Sequence, residues 1–461
     1  MGKITGFLEY DRETPQTRPV KERLKDFNDV YTRMPLDAVR RQAARCMGCG
    51  VPFCHNACPL HNLCPEWNDL VYRGEMAMAA ERLLSTNNFP EFTSRICPAL
   101  CEASCVLGQV SASTTCQLME RTIIEYAFEN GLITPQPPTE RSRRHIAVVG
   151  SGPAGLAVAM QLNRMGHKVT VFEKQELPGG LLRYGIPNFK LEKWVVDRRI
   201  HLLEEEGILF SCGTVPSPDT LERFDAAVLC IGAGVPRDLP IPGRELDGIH
   251  FALEFLQRQN RLLLKGRGGE PDVWGKIDAK GKHVVVIGGG DTGSDCIGTA
   301  LRQGAKSVSS FEMMPMPPEQ RSEKTPWPYW PMQLRTSTSH KEGGDRFWSI
   351  KTKEFRGFDG QVRHLVTQNA DGTGFEREWP AELVLIACGF LGPEQDGLIA
   401  KLGLETDARS NIKTVGYMSS RKGVFAAGDT RTGQSLVVRA IADGRACADA
   451  VNRYLSTLPK D

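Results

Sequence analysis

Seven of the chain's fourteen cysteines fall in two bursts near its start, CMGCGVPFCHNACP over 46–59 and CPALCEASC over 97–105. Any fold that holds them must gather thiols at a few points, and that constrains the first third of the chain more than helix or strand propensity does. In a short secreted protein such density would mean disulfides. Here the chain runs to 461 residues, and MGKITGFLEYDRETPQ has no apolar run of the signal-peptide kind. The bursts therefore point to metal ligation in a reduced compartment. The scattered cysteines (Cys64, Cys116, Cys212, Cys230, Cys296, Cys388, Cys447) read mostly as small buried apolar residues. No stretch approaches the roughly 18 apolar residues of a membrane span. A formal net charge of +2 gives no reason to invoke nucleic acid or an anionic membrane. The expected location is cytoplasmic.

Three zones follow one another. Residues 1–140 read as an α-helical, cluster-binding domain without alternating strand patterns. Helices are expected over 36–46, over 65–84 with Trp67, Leu70, Val71 and Met78 on one side, and over 116–130, stopped by Gly131. TPQPPTERSRR (134–144) is a connector. Beyond it the class is α/β, with two strand–glycine turn–helix openings, HIAVVGSGPAGLAVA and HVVVIGGGDTGSDC. They predict two Rossmann-like domains. The first is discontinuous, 141–255 and 390–461, with the second, 256–389, inserted into it. FDAAVLCIGA (224–233) and AELVLIACGF (381–390) look like the crossover strands, ending near Gly232 and Gly389.

The first burst has the spacing C-x2-C-x4-C-x3-C-P at Cys46, Cys49, Cys54, Cys58 and Pro59. It resembles the bacterial ferredoxin run, widened at one interval, in which the fourth cysteine serves the other cluster. By that logic Cys46, Cys49 and Cys54 bind one [4Fe–4S] cluster and Cys58 starts a second. Cys97, Cys101 and Cys105, on adjacent turns if their segment is helical, complete both. Cys105 is expected to close the first, and Cys97 and Cys101 to join Cys58. Two cubanes need eight ligands and these runs supply seven, so Cys64, Cys116 or an oxygen such as that of Glu120 is the eighth. Structural zinc prefers paired C-x2-C units, and only Cys46 and Cys49 form one.

In the first glycine turn, Gly150, Gly152 and Gly155 frame Ser151, Pro153 and Ala154. Gly150 permits the tight turn, Gly152 admits a pyrophosphate, and Gly155 lets helix pack on strand. Glu173, before Lys174, stands at the next strand end, where a ribose hydroxyl binds. In the second turn Gly288, Gly290 and Gly293 frame Asp291 and Thr292, and Glu312 is the matching acid. Two turns imply two dinucleotides. PGGLLRYGIP, with Gly180 and Leu181, marks the first as an FAD site of the two-dinucleotide flavoprotein kind, leaving the second for NADH or NADPH. Near the C-terminus, Gly428 and Asp429 end a strand, and Gln434, Ser435 and Val437 lead into a helix whose positive end would face the flavin. A carboxylate at Glu312 favours NADH, and Arg321 is the cation that would turn the pocket toward a 2′-phosphate.

Taken together, CMGCGVPFCHNACPL, CPALCEASCVLG, VVGSGPAGLAVA, GGLLRYGIP, VVVIGGGDTGSDC and VFAAGDTRTGQSLVVRAI closely resemble the glutamate synthase small (β) subunits, over essentially the whole chain. The broader group includes the N-terminal half of dihydropyrimidine dehydrogenase. The resemblance implies that one ligand of the second cluster is a non-cysteine side chain on a helix after the second burst, a position that Glu120 fills here. It implies hydride transfer from NAD(P)H to FAD, then single electrons through the clusters to an FMN-containing large (α) subunit. That partner hydrolyses glutamine and makes glutamate from 2-oxoglutarate. This chain carries no such machinery: Met1 is followed by Gly2, not by a nucleophilic cysteine, and no (β/α)8 pattern appears. No acid–base pair is required, and no catalytic residue is expected. The competing reading is a stand-alone NAD(P)H oxidoreductase serving ferredoxin, polysulfide or quinone. A thioredoxin-reductase-like enzyme would need a C-x-x-C beside the flavin, which is missing. A non-enzymatic cluster scaffold would leave both dinucleotide signatures without purpose.

Overall fold

The computed structural model describes residues 2–264 and 275–459. Its N-terminal part is helical, with Leu36–Ala44, Cys64–Arg73, Met76–Thr86, Pro90–Ile96 and Cys116–Glu129 as the main elements. They enclose a core that includes Val39, Trp67, Val71, Leu83, Met119 and Ile123. The helix expected over 65–84 is two helices. Gly74 takes a left-handed conformation (φ 85°) that caps the first, which glycine adopts without a Cβ penalty. The break resets the helical phase, so Met76, Ala79, Ala80 and Leu83 face inward. Met78, expected beside Trp67, is instead 54% exposed. The second cysteine burst is not one helix either. Cys97 ends Pro90–Ile96 in extended conformation, Ala99 is left-handed, and only Cys101 sits in a short helix, Leu100–Ala103.

Two five-stranded sheets follow, alike in plan. The first runs Val424–Ala426, Ala226–Leu229, His145–Val149, Lys168–Phe172, Leu209–Ser211, all parallel. The second runs Ile249–Phe251, Leu383–Ile386, His283–Ile287, Ser307–Phe311, Asp345–Phe347, also parallel. Central strands such as Ala226–Leu229 and Leu383–Ile386 are buried along their whole length, as parallel strands covered on both faces must be. An antiparallel sheet of Ile350–Phe358, Gln361–Asn369 and Arg377–Pro380, not anticipated from sequence, packs through Phe355 and Leu365 onto the second parallel sheet.

The connection differs in detail from expectation. The segments 224–233 and 381–390 each hold an interior strand of their own sheet. The crossover pair comes after them, Val235–Pro236 against Phe390–Gly392. Ile249–Phe251 already belongs to the second sheet, so the chain leaves the first unit before 249 rather than at 255. A three-residue strand is too short to announce itself by periodicity.

Buried ion pairs join the parts. Arg199 of Lys193–Glu205 reaches Glu91 of Pro90–Ile96 at 2.5 Å, both side chains almost wholly buried. Glu342 accepts from Arg302 and from Arg23 of the N-terminal segment at 2.5 and 2.7 Å. Phe89 and Phe92 also enter the core around the first sheet. No helix of the described residues is long and apolar enough to cross a membrane.

Candidate cluster and nucleotide sites

Two cavities, each with about 340 Å³ of space free of protein atoms, lie in the helical part. The first is lined by Cys46, Cys49, Cys54 and Cys105, with Cys64 and Thr114 beside them. Cys46 follows the end of Leu36–Ala44, and its N–H donates to the Ala43 carbonyl at 3.1 Å. Gly48 (φ 59°) turns the run back, and Cys54 stands in the first turn of Phe53–Ala57. The second cavity is lined by Cys58, Cys97, Cys101 and Glu120, with Thr93 and Val438. The cysteines are free thiols. Burial pushes Cys46 and Cys97 up to about 12 and Cys58 to about 11. Thiols so placed stay neutral unless a cation compensates the thiolate. The donor set, seven soft sulfurs and one carboxylate around two enclosed spaces, fits two iron–sulfur cubanes.

Glu120 is one turn beyond the first residue of Cys116–Glu129. Its Oε1 accepts from Asn87 Nδ2 at 2.7 Å and Thr93 Oγ1 at 2.6 Å. Burial pushes its carboxyl up to about 8. Of the other candidates for eighth ligand, Cys64 lines the first cavity, which already has four cysteines, and Cys116 is in the lining of neither.

The first glycine turn is shaped as the spacing anticipates. At Gly150 (φ 102°) a Cβ would overlap the Cys230 carbonyl, and at Gly155 it would overlap the Gly150 carbonyl. Gly152, the N-cap of Pro153–Arg164, faces open space and no side chain caps that helix. Its first N–H groups are thus directed at whatever occupies the turn. Glu173 is buried and receives the N–H groups of Ser151 (3.1 Å) and Gln175 (2.9 Å). Gly180 packs on the Gly152 Cα, and Ala154 against Gly428. Lys174 stands at the rim, 3.9 Å from Glu394, and Leu181 is partly exposed. Gly232 faces open space and donates its N–H to Thr430 Oγ1 at 2.7 Å. Burial pushes Asp429 up to about 6, and Ser435 Oγ donates to it at 2.9 Å. Gln434 Oε1 accepts the Phe390 N–H at 2.9 Å, beside Gly389, and so ties this region to the crossover. Val437 opens a 20-residue helix with no side-chain cap.

The second turn repeats the first. A Cβ would overlap the Ala387 carbonyl at Gly288 (φ 123°) and the Gly288 carbonyl at Gly293, while Gly290 is open. Asp291 and Thr292 begin the helix Asp291–Arg302. Glu312 accepts the N–H groups of Gly289 (2.7 Å) and Met314 (3.0 Å), which fixes its carboxylate at the turn. Arg321 is elsewhere. Its guanidinium donates to the carbonyls of Thr325 (3.2 Å), Tyr329 (2.5 Å) and Ala103 (2.8 Å), the last in the helical part. Three carbonyls consume that fork, so the expectation that Arg321 serves the ribose is corrected: it fastens the proline-rich loop to the cluster domain. Phe53 and Trp327 stack beside it, centroids 4.5 Å apart. Sequence reasoning missed the Lys190–Asp295 ion pair between the first unit and the helix of the second. An aspartate within the buried face of a helix was the available signal.

A pyridine nucleotide-disulphide oxidoreductase family model matches residues 144–444, and a dihydropyrimidine dehydrogenase domain II, 4Fe-4S cluster model matches residues 23–132. The chain is 51% identical to a Mycobacterium tuberculosis protein named glutamate synthase [NADPH] small chain, over 98% of this chain and 97% of that one. It is 46% identical to the Bacillus subtilis protein of the same name, over 100% of both. It is 45% identical to Schizosaccharomyces pombe glutamate synthase [NADH], over 98% of this chain but 23% of that one. Among solved structures, FprA from Mycobacterium tuberculosis is similar at TM-score 0.55 and 19% identity, over 70% of this chain and 85% of that one, a likeness of fold.

Proposed function

This chain belongs to the glutamate synthase small-chain family, and from that premise we propose that it takes hydride from NAD(P)H at its second dinucleotide site. The electrons then pass by way of FAD and two [4Fe–4S] clusters to a separate large subunit. What carries the reading is the presence, in one chain, of two glycine-turn units and two four-ligand cavities. Cys46, Cys49, Cys54 and Cys105 would hold one cluster, and Cys58, Cys97, Cys101 and Glu120 the other. When bound, FAD accepts electrons as a pair and releases them singly, which suits it to stand between a nicotinamide and iron–sulfur clusters.

The residues bind and orient. The turn Gly150–Gly155 and the uncapped start of Pro153–Arg164 would cradle the FAD diphosphate, with Glu173 at the adenosine ribose. Gly232, Gly428, Asp429 and the start of Val437–Ser456 would line the flavin, where a helix N-terminus favours the more negative form. Val438 supports an order of sites: it is the second residue of that helix and also a wall of the second cavity. The second cavity is then nearer the flavin. The first, walled by Met47, Cys49, Pro52 and Phe53 next to the exposed Val51, is the exit toward the partner. The fungal relative, of which this chain matches 23%, supports taking the remaining activities as the work of a second polypeptide. In the second turn Glu312 favours NADH, because a fixed carboxylate accepts from a 2′-hydroxyl and repels a 2′-phosphate.

The test is the purified chain. It should carry about one FAD and about eight irons, oxidise NAD(P)H with an artificial acceptor, and form no glutamate from glutamine and 2-oxoglutarate until the large subunit is added. Glutamate made by this chain alone would overturn the division of labour.

A further inference from the structure

Two more thiols are buried between the cavities. The Sγ atoms of Cys64, Cys101 and Cys116 all lie within 4.8 Å of one another. Cys64 and Cys116 are 1% and 2% exposed. Cys101 lines the second cavity, whereas Cys64 lines the first and hydrogen-bonds to Cys54 there. A second link runs through Thr114, whose Oγ1 is 3.6 Å from Cys105 Sγ and 3.4 Å from Cys116 Sγ. Two short chains thus join a ligand of one cavity to a ligand of the other: Cys54, Cys64, Cys101 and Cys105, Thr114, Cys116, Cys101.

Buried cysteine is usually apolar filler. Filler would need only methyl groups here. Instead two thiols and a hydroxyl, each able to donate one hydrogen bond, converge on sulfurs assigned as iron ligands. Such a hydrogen bond stabilises the more negative, reduced cluster, and hydrogen bonding to ligand sulfur is one of the main settings of cluster potential.

We propose that Cys64, Thr114 and Cys116 are not ligands but a polar bridge between the two cluster sites, donating to the ligand sulfurs of Cys54, Cys101 and Cys105 and holding the cluster potentials up. The inference rests on the two-cluster reading above.

The test is iron content together with cluster midpoint potentials, read by electron paramagnetic resonance during a redox titration of the loaded protein. Thr114→Val keeps the shape and removes the hydroxyl, so it decides the matter even if the cysteine variants load poorly. Thr114→Val and Cys116→Ala should keep about eight irons and lower at least one potential, by up to a tenfold change in the one-electron equilibrium, about 59 mV. Cys116→Ser keeps a donor and should remain near the parent value. Potentials unmoved in Thr114→Val and Cys116→Ala, at full iron, would overturn the bridge. Loss of half the iron in Cys64→Ala or Cys116→Ala would overturn it by making that thiol a ligand. About four irons in the unaltered protein would overturn the two-cluster reading beneath it.

Discussion

Replacing Glu120 by alanine and by glutamine separates its two roles, ligand and hydrogen-bond acceptor. In alanine, Asn87 Nδ2 and Thr93 Oγ1 both lose the oxygen they share. The loss is partial, because Asn87 Nδ2 also donates to Thr93 Oγ1 at 2.8 Å and Thr93 Oγ1 also reaches the Phe89 carbonyl at 3.3 Å. An unsatisfied buried polar group costs about 1–3 kcal/mol, and one such loss, not two, is the expected penalty on stability. The effect on iron should be far larger. With its only oxygen ligand gone the second cavity retains three cysteines, and iron should fall from about eight to about four per chain. Glutamine keeps a carbonyl oxygen for both donors and for the cavity, so Glu120→Gln should hold most of its iron. The assay is iron and sulfide per chain, with visible absorption to confirm that FAD remains. Full iron in Glu120→Ala, with half lost in Cys64→Ala, would refute the reasoning and move the eighth ligand to Cys64.

Chelator-driven iron loss should be slower at high pH, since the Glu120 carboxyl, pushed up to about 8 by burial, is held protonated below that value and competes with iron. Glu120→Gln should lessen this pH dependence. Gly293→Ala drives a methyl into the Gly288 carbonyl and should abolish NAD(P)H oxidation while leaving flavin absorbance intact. Glu91→Ala strands the buried Arg199 guanidinium and should cost about 3–5 kcal/mol in denaturant unfolding, most of it recovered when Arg199 is also replaced by methionine. The ratio of kcat/KM for NADH over NADPH should favour NADH, and Glu312→Ala should narrow it by about 1.5–3 kcal/mol; a strong NADPH preference in the parent would mean that Glu312 does not face the ribose.

The features legible in the sequence are those whose chemistry demands a residue type at a fixed spacing. Gly150 and Gly155 had to be glycine because carbonyls of Cys230 and Gly150 occupy the space of a Cβ, so the motif could be read without a structure. The cysteine bursts were readable for the same reason. What stayed hidden depends on contacts between distant segments. Arg321 looked like a ribose ligand because it follows Glu312 closely in sequence, yet the loop between them carries it to Ala103. Met78 was misplaced because Gly74, one residue in a favourable helical stretch, turned the next helix to a new phase. The antiparallel sheet around Phe355 and Leu365 has no motif at all, and its alternation is interrupted by register shifts at Thr352/Glu354 and Arg356/Gly357.

The buried ion pairs belong to the same hidden class, and they bear on why this chain is one rigid carrier rather than three tethered modules. Arg199–Glu91 joins the first sheet's helix layer to the helix that ends at Cys97. Arg23 and Arg302 share Glu342, which fastens the N-terminal segment to the second unit. Such pairs contribute little net stability against a well-packed apolar alternative, because desolvating both charges offsets most of their attraction. Their geometric demand is stricter than that of apolar contact: a slide that apolar surfaces would tolerate leaves a buried charge alone. A chain that passes single electrons between sites in different domains depends on fixed separations more than on surplus stability. Placing Glu91 six residues before Cys97, on the same short helix, makes the wall of the second cavity and the seat of the flavin domain move as one body.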